Sequence, residues 1–244
     1  WRWAGDARRA RRARNARRAR RGVTAGRALR LAHRGDWRAG PENSLVAMRA
    51  ALANPACDGL EFDVRGSREG IPILLHDGTL DRVQGRPGRP EALSIDELAA
   101  AGIPTLAEVL ALAGDGPFLD VELKGPPVPA VIDVLEAARG DALAGAVVSS
   151  FEPDTLAWIG ERRPAWPRWL NAEALANSAI REAGELGCVG LSVNWRAIDA
   201  HAIARARAAG LQVAAWTVRR RATARRLERL GVVAVCVEAA ALDA

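Results

Sequence analysis

From Val23 onward, short apolar runs alternate with stretches of helical periodicity, and this alternation limits the architecture more than any other feature of the chain. Candidate strands fall at Ala28–Ala32, Asp58–Val64, Ile71–Leu75, Pro117–Leu123, Ala146–Ser150, Arg168–Leu170, Val189–Val193, Leu211–Trp216 and Val232–Val237. Helix-like Ala/Leu/Glu/Arg stretches lie between most of them, at Ser44–Ala53, Thr105–Leu112, Val128–Ala138, Pro153–Arg162, Glu173–Glu185, Asp199–Ala209 and Arg219–Leu230. Alternating β and α elements in one domain of this length are expected to close into a TIM (β/α)8 barrel; a doubly wound parallel sheet is the alternative. Nine candidate strands exceed the eight places of a barrel. Only six residues separate Val64 from Ile71, too few for a parallel crossover. Ser67-Arg68-Glu69-Gly70 reads instead as a hairpin turn, making Ile71–Leu75 a short extra antiparallel strand after the second barrel strand. With the turn centred near Arg68–Glu69, paired residue numbers sum to about 137, which places His76 roughly opposite Glu61.

Charge separates the chain into two parts. The net charge is +6, but residues 1–22 hold ten Arg and one Asp, so that segment carries +9 and the remainder −3. Residues 1–22 read as a low-complexity Arg/Ala leader, expected to be disordered, and residues 23–244 as the barrel domain. The leader lacks the apolar stretch of a secretory signal and starts on Trp rather than Met. It is expected to be an upstream extension without a specific role, with weak anion binding or targeting as alternatives. No nucleic acid is expected on the mildly acidic barrel. No apolar run approaches the roughly 18 residues of a membrane span. Three widely spaced cysteines without a CxxC motif are expected to be unpaired, in a reducing, cytoplasmic setting.

Among 35 basic residues only Lys124 is a lysine, which points to a place where a compact ammonium is needed rather than a guanidinium. In a TIM barrel the site lies at the C-terminal ends of the strands. Those ends read His33-Arg34-Gly35, Glu61-Phe62-Asp63, Glu122-Leu123-Lys124, Ser150-Phe151, Asn194-Trp195 and Trp216-Thr217. Glu61 and Asp63 share one strand face, as do Glu122 and Lys124, and Asp120 extends the second row. Three converging carboxylates repel one another unless a cation lies between them, and all-oxygen ligation favours a hard divalent ion, Mg²⁺ or Ca²⁺. A lone Glu-x-Asp pair is equally at home on an exposed strand edge; the third carboxylate is what makes the set informative. His33 and His76 fall beside this set and suit general acid–base work, while His201, in an Ala/Arg helix, reads as a surface residue. Arg34 and Lys124 supply positive charge for an anionic group, phosphate being the obvious candidate.

These residues also carry a family resemblance. His33-Arg34-Gly35, Pro41-Glu42-Asn43, Glu61-Phe62-Asp63-Val64, His76-Asp77, Leu80-Asp81-Arg82, Ile103-Pro104-Thr105-Leu106 and Glu122-Leu123-Lys124, in this order and spacing, resemble the glycerophosphodiester phosphodiesterase family. The likeness continues through Ser150-Phe151 and Trp216-Thr217 and covers about residues 29–237. It implies a TIM barrel that hydrolyses small-molecule glycerophosphodiesters to glycerol 3-phosphate and an alcohol in glycerophospholipid breakdown. It implies His33 and His76 as general acid and base, Glu61, Asp63 and Glu122 as ligands of the divalent ion, and Arg34 and Lys124 as phosphate contacts. Glu42 and Asn43 match supporting positions near the site. Phe151 and Trp216 are expected to form an apolar wall against the glycerol carbons. The chain departs from the family pattern at Ser44, at Val83, at Arg219 where Asn is usual, and at Val235-Cys236-Val237-Glu238 where Thr-Asp followed by Pro is usual. The last departure puts the closing strand in question. Phospholipase C-like and sphingomyelinase D-like phosphodiesterases share the barrel and the histidine pair and are the rival readings, together with nucleic-acid binding through the leader.

Overall fold

The computed structural model describes residues 27–243; the leader at 1–22 and the boundary expected at residue 23 lie outside them. Eight strands run parallel around a closed ring: β1 (Leu29–His33), β2 (Gly59–Gly66), β4 (Phe118–Leu123), β5 (Ala146–Ser150), β6 (Arg168–Ala172), β7 (Gly190–Asn194), β8 (Gln212–Val218) and β9 (Ala234–Val237). β1 closes the ring by pairing with both β2 and β9. The ninth strand, β3 (Pro72–Leu74), lies outside it, antiparallel to β2. The expected TIM barrel with one extra strand is therefore the observed fold, and the departures around Glu238 do not prevent β9 from closing it.

Period-two alternation explains the layering. Leu60, Phe62 and Val64 of β2 and Leu119, Val121 and Leu123 of β4 belong to the large apolar cluster between barrel and helices. The opposite face of each strand points into the barrel, where Leu31, Val147, Trp169, Ala214, Ala234 and Cys236 form a separate cluster. Trp169 stacks on Phe118 with ring centroids 6.1 Å apart and helps to fill the barrel floor. The same inward rows continue toward the C-terminal mouth as His33 after Leu31, Asp120 and Glu122 after Phe118, and Asn171 after Trp169. Sequence parity thus converts an apolar floor into a polar mouth.

The outer helices are α1 (Leu45–Ala53), α2 (Asp81–Gln84), α3 (Ile95–Ala100), α4 (Leu106–Ala113), α5 (Ala130–Arg139), α6 (Pro153–Arg162), α7 (Asn177–Glu185), α8 (Ala200–Ala208) and α9 (Arg221–Leu230). Local chemistry sets their starts. Ser44 accepts from the Ala47 amide to cap α1, and Thr105 forms a capping box with Glu108 at α4. The short α2 and α3 were not expected from periodicity, because four and six residues hold too few turns for a pattern. The Ser94–Glu97 capping box was nonetheless a readable start for α3.

The hairpin register needs a correction. Val64 pairs with Leu74 and Gly66 with Pro72, so paired numbers sum to 138 rather than 137. The cause is the loop: the Ser67 amide donates to the Ile71 carbonyl, leaving three residues, Arg68-Glu69-Gly70, in the turn. An odd loop centres on a residue rather than on a bond, and Gly70 takes the left-handed conformation that such a loop requires, φ 74°.

Gly59 shows how closely the strands approach. A Cβ there would lie 1.9 Å from the Phe118 carbonyl oxygen, so backbone must move to admit one. Gly59→Ala is expected to cost at least about 1–3 kcal/mol in urea unfolding, the range for overpacking. Unchanged stability would show that β2 and β4 can part.

Candidate active site

The C-terminal mouth holds a cleft of about 210 Å³ lined by His33, Arg34, Glu61, His76, Glu122, Lys124, Phe151 and Trp216, along with Asp120, Asn171, Glu173, Ser192, Thr217 and Cys236. Eight of the eleven residues given site roles from sequence therefore share one cavity, together with Asp120. Asp63, Glu42 and Asn43 are not in its lining. They stand behind it and hold what lines it.

Glu61, Asp63 and Glu122 each offer an oxygen, and these three atoms lie within 4.8 Å of one another. Asp63 is wholly buried and Glu61 is 4% exposed. Burial, then the charges of Asp63, Glu122 and Asp120, push Glu61 well above the ordinary carboxylate range. Burial and Asp63 raise Glu122 to about 7 against the pull of Lys124. Burial also raises Asp120 to about 7, although Ser149 donates to it at 2.6 Å. Asp63 behaves oppositely: burial disfavours its charge, but Arg34 and then Lys124 outweigh that and hold it low. The ion pairs show why. Arg34 Nε lies 3.0 Å from Asp63 Oδ2, and Lys124 Nζ pairs with Glu122 and sits 3.4 Å from Asp63 Oδ1. A buried, oxygen-only, mutually repelling set fits a hard divalent cation, whose charge would reverse those upward shifts.

A stability slope follows for the protein without divalent ions. Folded Glu122 and Asp120 keep protons up to about pH 7, whereas in an unfolded chain such groups release them near pH 4. Through these two groups the folded state binds more protons in that window, so their contribution to stability is expected to fall as pH rises from about 4 to 7. Urea unfolding in chelator across that window, wild type against Asp120→Asn, measures it; a variant whose pH slope matches the wild type would contradict the burial described here.

The backbone around Arg34 is locally specialised. Arg34 and Asn43 both take left-handed conformations, φ 57° and 58°. The Asn43 amide donates to the Arg34 carbonyl at 2.9 Å, and its side chain donates to Asp63 at 2.9 Å. Glu42 accepts from Arg34 at 2.9 Å and from Arg82 at 2.6 Å. The supporting pair therefore anchors the arginine and one carboxylate.

His33 and His76 are each held through Nδ1. His76 Nδ1 lies 2.7 Å from Asp77 Oδ1, and Arg82 contacts the other Asp77 oxygen at 2.6 Å. Two Arg65 nitrogens also donate to the His76 carbonyl. The Arg82 hydrogen bond and then His76 keep Asp77 at about 2. Burial lowers His76 below the usual imidazole range despite the nearby Asp63 charge. His33 Nδ1 lies 2.5 Å from Glu238 Oε1, and His33 Nε2 faces Glu61 Oε2 at 3.8 Å. Arg219 Nε reaches the other Glu238 oxygen at 2.7 Å. Burial opposes the charge on Glu238, but His33 and Arg219 outweigh it and bring the carboxyl to about 2. Glu238 and Arg219 read from sequence only as departures from a pattern; the parity Ala234, Cys236, Glu238 was the signal that points Glu238 inward. His201 is exposed on α8, as expected.

On the far wall, Phe151 meets Trp216 edge to face, centroids 5.6 Å apart at 71°. The Trp216 indole donates to the Ser192 carbonyl, and Lys124 Nζ lies 5.3 Å from the Phe151 ring centroid.

Fold and site together define a TIM-barrel protein whose mouth joins two anchored imidazoles to a buried carboxylate triad and two fixed cations. Residues 33–242 match the glycerophosphoryl diester phosphodiesterase family, and the chain belongs to it. It is 35% identical over 112 residues to a glycerophosphodiester phosphodiesterase of Caldanaerobacter subterraneus, a match covering 40% of this chain and 46% of that protein. It is 41% identical over 68 residues to human glycerophosphodiester phosphodiesterase 1, covering 28% of this chain and 20% of the human one. The matched segments thus span less than half of these curated relatives. Among solved structures, an Oleispira antarctica phosphodiesterase in complex with the product sn-glycerol-3-phosphate superposes with a TM-score of 0.73 at 25% identity, covering 86% of this chain and 93% of that one.

Proposed function

We propose that the chain hydrolyses glycerophosphodiesters to glycerol 3-phosphate and an alcohol, with divalent-metal dependence and two-histidine acid–base catalysis. The observation that carries this reading is the pair of Nδ1-anchored histidines in one cleft with Glu61 and Glu122, behind which Asp63 completes the carboxylate triad. Family membership and the product-bound relative support this substrate class.

Glu61, Asp63 and Glu122 would hold one divalent ion, Mg²⁺ or Ca²⁺, which polarises a non-bridging phosphate oxygen when bound. Arg34 and Lys124 then balance charge that builds on the phosphoryl oxygens in the transition state. With each Nδ1 engaged by a carboxylate, each histidine presents Nε2 to the reaction. One takes the proton of the nucleophile, water or the substrate's own glycerol hydroxyl, and the other gives a proton to the departing alkoxide. Phe151 and Trp216 offer an apolar wall to the glycerol carbons. Among the described residues no helix is long and apolar enough to cross a membrane, and Cys57, Cys188 and Cys236 are all free. Free thiols support a reducing compartment such as the cytoplasm.

The test is release of glycerol 3-phosphate from glycerophosphocholine with Mg²⁺, with Ca²⁺ and with EDTA. Metal-dependent release is expected. A folded protein that releases none with either ion would move the reading to another phosphodiester.

A further inference from the structure

We propose that Glu238 is a positioning residue that fixes the tautomer of His33, and that Arg219 sets the direction in which it acts. Its effect on turnover rests on the function proposed above; its effect on the imidazole does not.

Glu238 is 7% exposed, and each of its oxygens has one partner, His33 Nδ1 at 2.5 Å and Arg219 Nε at 2.7 Å. A carboxylate only accepts, so a neutral His33 must carry its proton on Nδ1. Nε2 is then the free acceptor, and it is the nitrogen that faces Glu61. β9 and β1 are paired neighbours, so the carboxylate and the imidazole are held by adjoining strand ends rather than by a loose loop. The two departures from the family pattern at Arg219 and Glu238 thus form one linked feature.

Glu238→Gln keeps the shape and makes the direction testable. Arg219 can only donate, so the amide oxygen is expected to turn toward it and the NH₂ toward His33. Nδ1 must then accept, and the ring proton moves to Nε2. Two-bond ¹H–¹⁵N correlation spectra of ¹⁵N-histidine-labelled full chain, recorded where the ring nitrogen shifts themselves show a neutral His33, should show His33 switch from the Nδ1–H to the Nε2–H form. Turnover should fall by at least about 10²-fold with KM within about twofold, since a wrong-tautomer change in a catalytic triad costs about 10⁴-fold. Adding Arg219→Met frees the amide to turn back, and the double variant should recover the Nδ1–H form and at least about tenfold in kcat. An Nδ1–H signal with near wild-type kcat in Glu238→Gln overturns the proposal, as does a double variant no better than the single one. If the tautomer switches but the wild type releases no glycerol 3-phosphate, the reaction assignment fails and the positioning stands.

Discussion

Replacing His33 or His76 with alanine is expected to lower turnover by at least the roughly 10²–10⁴-fold lost with a general acid or base. Two features of the site make this separable from unfolding. Neither imidazole is in the apolar core: their side chains are 15% and 33% exposed. Each leaves behind a carboxylate that keeps an arginine, Arg219 on Glu238 and Arg82 on Asp77, so no buried charge is stranded. Steady-state turnover beside a thermal melt checks both halves. A variant with wild-type turnover removes that histidine from the acid–base pair.

The second large effect is metal dependence. Chelation is expected to abolish turnover, and a divalent ion at a hundred times its Kd should stabilise the fold by about 2.7 kcal/mol. For a chain of this size that is a rise of roughly 5–10 °C in Tm. Glu61→Gln should lose both the affinity and the Tm rise. The same substitution should leave the metal-free protein close to wild-type stability, because burial and its acidic neighbours already favour the neutral form of Glu61, which the amide resembles in shape and charge. A saturating-metal titration with unchanged affinity in Glu61→Gln would take Glu61 out of the ligand set.

Much of the architecture was legible because a barrel is written twice, once in the β/α alternation and once in strand parity. The alternation located every ring strand and flagged β3 as surplus. Parity placed Glu61 with Asp63 and Glu122 with Lys124, and both pairs converge. The hairpin register was missed by one residue because sequence does not announce whether a tight turn holds two residues or three. In the site, what escaped was the second layer of contacts. Arg219 and Glu238 lie far from His33 in sequence, and nothing local in Arg219 says which carboxylate it will meet. Glu42 gave a position but not its task of holding Arg34 and Arg82 together. Such pairings depend on loop paths across the mouth, which carry no periodicity.

The mouth is unevenly furnished. His33, Glu61 and Glu122 come from β1, β2 and β4, and Lys124 and Glu238 directly follow β4 and β9; these four strands are consecutive around the ring, and His76 follows the hairpin attached to β2. The opposite arc, β5 to β8 with the residues directly after them, contributes Phe151, Asn171, Glu173, Ser192, Trp216 and Thr217. Substitution of Phe151 or Trp216 can therefore reshape one wall of the cleft while the histidines and the carboxylate triad keep their own strands and partners on the other side of the rim.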